Sequence, residues 1–170
     1  MRTVIALMAA GLLATVGKGG EKPLAWPQFR GQGGSGVAKG QKPPVEFGPD
    51  KNLKWKVRVP SGMSSPIIAG DKVVITALED GKLFTIAYER ATGKEAWRAE
   101  APAKKLEPTH KTESSPAAST SATDGKHIVS YFGSCGLFCY DRDGKQQMFD
   151  AANHGLNLLT RQVKSLPQHQ

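Results

Sequence analysis

Residues Ala87 to Trp97 (AYERATGKEAW) constrain the fold more than any other stretch of the chain. They read as the end of one β-strand, a tight turn and the start of another strand. Ile86 and Tyr88 bring large apolar and aromatic side chains to the first strand. Thr92-Gly93 supplies the turn: glycine tolerates φ > 0, and the threonine hydroxyl can bond to the turn backbone. Trp97 then offers the largest apolar surface of the segment, useful only when something packs over it. A weaker copy runs from Cys139 to Met148 (CYDRDGKQQM). A supersecondary unit written twice is the sequence mark of a repeat protein.

The surrounding periodicity is that of strands. Trp55, Val57 and Val59 alternate with Lys54, Lys56 and Arg58, predicting a strand with one apolar and one basic face. Pro60-Ser61-Gly62 ends it. Pro66-Ile67-Ile68 leads to the turn Gly70-Asp71, and Val73 to Ala77 reads as a buried strand. Glu79-Asp80-Gly81-Lys82 is a hairpin turn into the strand Leu83 to Tyr88. Four short strands joined by tight turns make a propeller blade. After a polar connection over 99–120 the pattern returns: Thr123 to Lys126 turns into Ile128 to Phe132, and Gly133 to Gly136 turns into Leu137 to Tyr140. Gly70 and Gly125 stand 55 residues apart, as do Gly81 and Gly136, and Gly93 and Gly144 stand 51 apart. That period lies in the propeller range. Trp55, Trp97 and Met148 follow at intervals of 42 and 51, the spacing of plugs between blades. The chain's 19 Gly and 11 Pro favour turns and short strands over helices.

The first copy resembles the tryptophan-docking motif of the pyrroloquinoline-quinone-like (quinoprotein-like) β-propellers, Ala-x-Asp-x-x-Thr-Gly-x-x-x-Trp. Ala87, Thr92, Gly93 and Trp97 match, with Glu89 in place of Asp. The second copy keeps Asp141 and Gly144, carries Cys139 and Met148 in the Ala and Trp places, and lacks the Thr. Trp26 to Gly31 and Tyr131 to Ser134 are similar to the secreted bacterial members of that family. The resemblance spans 26–148. It implies an all-β fold, a partial β-propeller of four-stranded antiparallel blades with about two blades present and the ring incomplete.

Four segments follow: a signal peptide over 1–20, a Gly/Pro-rich lead over 21–50, the repeats over 51–148, and a divergent or truncated tail over 149–170. Arg2 precedes the apolar run Val4 to Ala14, too short to span a bilayer as a mature helix and suited to a secretory signal. A buried N-terminal helix is the alternative, but it needs a polar face that the run lacks. No Cys follows the run, so a lipid anchor is not supported. Export places the product in the periplasm or outside the cell, with no membrane span after cleavage. The tail from Asp150 to Gln170 breaks the strand alternation and reads as a truncation, a frameshifted end or a divergent segment. Formal net charge is +8, but residues 21–148 hold 19 basic and 14 acidic residues, interleaved with no block of five or more. That is a solvated surface and not a nucleic-acid stripe.

No catalytic, cofactor-binding or metal-binding residue emerges. Gly31 to Gly36 fits G-x-G-x-x-G, but Pro27 stands where the strand should be, and Lys39 to Pro44 cannot open the phosphate-holding helix. A loop beside the Trp26 anchor is the better reading. Cys135 and Cys139 are too few for a disulfide framework and read as packed or idle thiols. His110 lies in a polar connection near Glu107 and Glu113, and His127 stands at a strand start, both in positions usual for solvated side chains. His154 and His169 fall in the tail. Ser64-Ser65-Pro66 and Ser114-Ser115-Pro116 look like entry turns to blades. Quinone-dependent dehydrogenases of the family need a central pocket, calcium ligands and a catalytic acid from several blades, and none is identifiable here.

The expectation for function is therefore a non-catalytic, exported scaffold that binds a protein through a propeller face or an open blade edge. The lipoprotein of the outer-membrane β-barrel assembly machinery is of this type. The alternatives are a fragment of a quinoprotein dehydrogenase and a remnant without function. A closed propeller needs about 4–8 blades. Two leave a docking Trp without a slot and strand Ile67, Ile68, Val73, Ile75, Leu83, Ile86, Ile128, Val129, Phe132, Leu137 and Phe138, so self-association is expected.

Overall fold

Local turn chemistry sets the strand lengths. In the computed structural model, residues 26–147 are described, apart from 39, 104–105, 107, 109 and 111–113. The expected signal segment, Met148, the tail with His154 and His169, and the acids Glu107 and Glu113 lie outside the described residues.

The described chain forms two four-stranded antiparallel sheets, neither closed into a barrel. The first holds β1 (Ile67–Ala69), β2 (Lys72–Glu79), β3 (Lys82–Glu89) and β4 (Glu95–Ala101) in simple meander order. The second repeats that order with β5 (Ala122–Thr123), β6 (His127–Tyr131), β7 (Leu137–Asp141) and β8 (Gln146–Gln147). This is the expected architecture, two blades of a partial propeller. The β2–β3 hairpin closes from Glu79↔Lys82, with Asp80 at φ 49° and Gly81 at φ 74°. Positive φ at both central residues is the hairpin geometry whose twist suits the flanking strands, which explains why Asp-Gly stands there.

One expected strand is corrected. Residues 53–59 make no β-ladder, and only Ser61 beyond them forms a bridge, to Leu78. The fourth strand of the first blade is β4, which contains Trp97. Alternation specifies two faces but not a hydrogen-bonding neighbour, and 53–59 has the faces without the neighbour.

The core lies between the sheets. Along β3, Leu83, Thr85 and Ala87 point at the second blade, while Phe84, Ile86 and Tyr88 point the other way. Leu83 and Ala101 pack with Phe132, Phe138 and Tyr140, and nearby Ile67, Ala69, Val74 and Ala87 pack with Ile128. The expectation that these apolar residues would be stranded is thereby overturned for most of them. Ile67, Leu83, Ile86, Ile128, Val129, Phe132 and Phe138 are buried; Ile68, Val73 and Ile75 are half-buried; Leu137 is exposed. Two blades cover one face of each other, which buries Ile67, Leu83, Ile128, Phe132 and Phe138, while Ile86 is buried on the opposite face with Ala77 and Tyr88.

Polar groups in the interface are paired in a row. Thr85 donates to the Ser130 hydroxyl at 2.9 Å, and Ser130 and Ser121 share a hydrogen at 2.8 Å. Beside them the Tyr140 hydroxyl is buried without a well-formed hydrogen bond. Burial pushes its pKa up, an effect only partly offset by nearby Thr85.

Candidate functional site

Three tryptophans each lie on a glycine, and the docking repeats from blade to blade. Gly93 adopts φ 73° and Gly144 φ 82°, a region in which a side chain is strained. A Cβ on Gly93 would come within 2.6 Å of the Trp55 ring, and one on Gly144 within 2.5 Å of the Trp97 ring. The Trp55 indole N–H donates to the Arg90 carbonyl and that of Trp97 to the Arg142 carbonyl, each at 2.9 Å. Each tryptophan thus packs its ring on the glycine of the following turn and satisfies its one polar atom on a backbone oxygen beside it. Trp97 also lies 5.8 Å from the Tyr140 ring, centroid to centroid. The docking Trp of the first blade therefore has its slot, contrary to expectation. Trp26 likewise lays its ring on a glycine, within its own loop, where a Cβ on Gly31 would stand 2.6 Å from the ring. That contact accounts for Gly31; the glycine-rich stretch forms only a three-residue 3-10 turn, Gln32–Gly34, and opens no phosphate-binding helix.

The turns are locked differently in the two copies. Thr92 donates to the Glu89 carboxylate at 2.6 Å and accepts from the Lys94 N–H at 3.2 Å. In the second copy, which lacks that threonine, the Asp141 carboxylate accepts the N–H groups of Asp143 and Lys145 at 3.0 and 2.9 Å. The blades are also tied by Arg142, which reaches Asp71 at 2.6 Å. Lys72 and Arg142 hold the Asp71 carboxyl down at about 2.

The segment 53–60 stands over the outward face of the first blade. Trp55 fixes one end on the Gly93 turn, and the Ser61 carbonyl, accepting the Leu78 N–H at 2.6 Å, fixes the other. Between them opens a groove of about 550 Å³, lined by Lys56 to Pro60 on one side and by Tyr88, Glu79, Glu95 and Arg98 on the other. Arg98 is charge-paired with Glu79 and Glu95, which raises its pKa and lowers that of Glu95. It also lies over the Phe84 ring, 5.5 Å from the centroid. Burial, reinforced by the charge of Glu95, raises the Tyr88 phenol. The blade side of the groove thus sets Glu79 and Glu95 against Arg98 and Lys94, and the segment side is basic.

The residues weighed from sequence make local hydrogen bonds. The Ser64 hydroxyl accepts the Thr76 N–H at 3.0 Å, the Ser115 hydroxyl accepts the Ala117 N–H at 3.1 Å, and the Ser114 hydroxyl accepts the His110 N–H at 2.9 Å. His127 is half-buried and lies 3.0 Å from the Asp124 carboxylate. Burial works to raise the Asp124 pKa, but the backbone N–H groups of His127 and Lys126 and the His127 ring outweigh it, leaving about 2. Cys135 and Cys139 are both free thiols. Burial, with the charges of Asp124 and Asp141, pushes the Cys139 thiol up, away from the thiolate a nucleophile requires. Among the described residues, no group of three or more His, Cys, Asp or Glu is placed to hold a metal ion. No helix among them is long and apolar enough to cross a membrane.

Sequence reasoning missed the carbonyls of Arg90 and Arg142 as indole acceptors. Backbone groups carry no side-chain signature; only their fixed place before the turn glycine could have indicated them. The chain matches no known protein family and no curated protein at a significant level.

Proposed function

We propose that this chain is a quinoprotein-like repeat module, exported to the cell envelope, that binds another protein and does not catalyse a reaction. The observation that carries the reading is the segment 53–60, pinned at both ends yet without a ladder partner. A strand template fixed in place and left open is a standard means of taking up another chain. The docking of Trp55 on Gly93 and Trp97 on Gly144 supports the family resemblance on which export and scaffold role rest.

Two measurements test this together. A photo-crosslinking residue at Val57 is expected to give a discrete protein adduct in envelopes of producing cells, and one at exposed Lys126 none. Reconstitution with pyrroloquinoline quinone and calcium is expected to give no dye-linked alcohol oxidation. Turnover, or equal adducts from both positions, overturns the reading.

A further inference from the structure

We infer that residues 53–59 are a preorganised template for an acidic, alternating strand of another protein, which adds to it edge to edge. The inference deepens the scaffold reading above and rests on it.

The template is held at both ends. The Trp55 indole N–H is bonded to the Arg90 carbonyl, and Ser61 is bridged to Leu78. Among the described residues, no backbone group of 53–60 makes a backbone hydrogen bond. Its edges are open and its two ends are already fixed, so a partner bears less of the cost of ordering it.

The side chains say what kind of partner fits. Leu53, Val57 and Val59 are 51%, 41% and 47% exposed, between exposed Lys54, Lys56 and Arg58. None of these three cations makes an ion pair among the described residues. Pairing with the same segment of a second copy fails on charge. Registers that keep the apolar residues together set Lys or Arg directly opposite Lys or Arg, which is destabilising. Registers offset by one put the cations opposite the apolar residues. The acids of β4 are no substitute, since Glu95 and Glu100 are already paired with Arg98 and Lys82. A strand with Asp or Glu opposite the three cations and β-branched residues between them satisfies both faces. A nucleic acid would find three cations interrupted by apolar residues above a groove that includes Glu79 and Glu95, a poor phosphate track.

The test uses the full chain and labelled nonapeptides that alternate Glu with Val or Lys with Val, followed by fluorescence anisotropy. Three favourable cross-strand pairs predict a preference of about tenfold or more for the Glu peptide. Methylating alternate backbone amides of that peptide keeps its charge but removes its ladder donors, and is expected to weaken binding about tenfold or more. The triple variant Lys54→Glu, Lys56→Glu, Arg58→Glu is expected to prefer the Lys peptide. Equal affinity for the Glu and Lys peptides, no loss on methylation, or displacement by an oligothymidylate at equal concentration overturns the inference. If the Glu peptide fails while the Val57 adduct persists, the acidic-strand inference falls and the scaffold reading stands; loss of the adduct sinks the scaffold reading itself.

Discussion

If Trp97 is the plug between the blades, its contribution must be coupled to the glycine it covers. Trp97 is half-buried and lies on Gly144 with its N–H on the Arg142 carbonyl. Covering roughly 150 Å² of indole is worth about 4 kcal/mol at about 25 cal/mol per Å². Allowance for a compact denatured chain lowers this to about 3 kcal/mol. The indole hydrogen bond adds little, because water replaces it at the exposed Arg142 turn. Trp97→Ala is thus expected to cost about 3 kcal/mol.

Gly144→Ala has two costs. Its φ of 82° strains any side chain, by about 1 kcal/mol. Its Cβ would also stand 2.5 Å from the Trp97 ring, which expels the indole and forfeits most of that same 3 kcal/mol or so. In the Trp97→Ala background only the strain remains. The double variant should therefore lose about 4 kcal/mol where simple addition of the singles gives about 7, a coupling near 3. Gly125→Ala is the control: φ is 93° but nothing lies within 4 Å of the added Cβ, so its cost should be about 1 kcal/mol in either background. Urea unfolding followed by far-ultraviolet circular dichroism measures the cycle, with trimethylamine N-oxide present to keep the weakest variant folded. Additivity of Trp97→Ala and Gly144→Ala within about 0.5 kcal/mol would refute the docking geometry.

Tyr140→Phe should stabilise the chain by about 1 kcal/mol, because it removes a buried hydroxyl that makes no proper hydrogen bond; a lower urea midpoint would show that the hydroxyl is satisfied. Ser130→Ala should cost about 1–3 kcal/mol by orphaning both Thr85 and Ser121, and a neutral effect would count against the hydroxyl row. Asp124 titrates at about 2 instead of 3.8, so its stabilisation is present above about pH 4 and lost as pH falls towards 2. Asp124→Asn should accordingly lower the melting temperature at pH 7 and flatten its decline from pH 4 to 2; parallel curves for the two proteins would contradict this. Export should remove the apolar segment after Arg2, and N-terminal sequencing of exported product that begins at Met1 would exclude that.

What was legible in the sequence was local. The turns at Gly81, Gly93 and Gly144 could be placed because a positive φ selects glycine within a few residues of chain. The docking tryptophans could be named because their side chains are large and recur. The strand at 53–59 was misread for the opposite reason. Its alternation is that of a paired strand, and pairing depends on whether another strand lies alongside, which no pattern within seven residues encodes. The buried state of Leu83, Phe132 and Phe138 was missed likewise, since it depends on how the blades meet and not on either repeat alone. The same division bears on function. An interior strand of a blade needs apolar residues on both faces, since sheets lie against each of them. Residues 53–59 have a wholly basic alternate set, with no acid in the segment to answer it. In the inference above, Leu53, Val57 and Val59 remain exposed beside the cations, and a chain of opposite charge completes the segment at its edge. On the acidic-strand inference, the pattern that failed to indicate a neighbour within the fold describes the chemistry of one outside it.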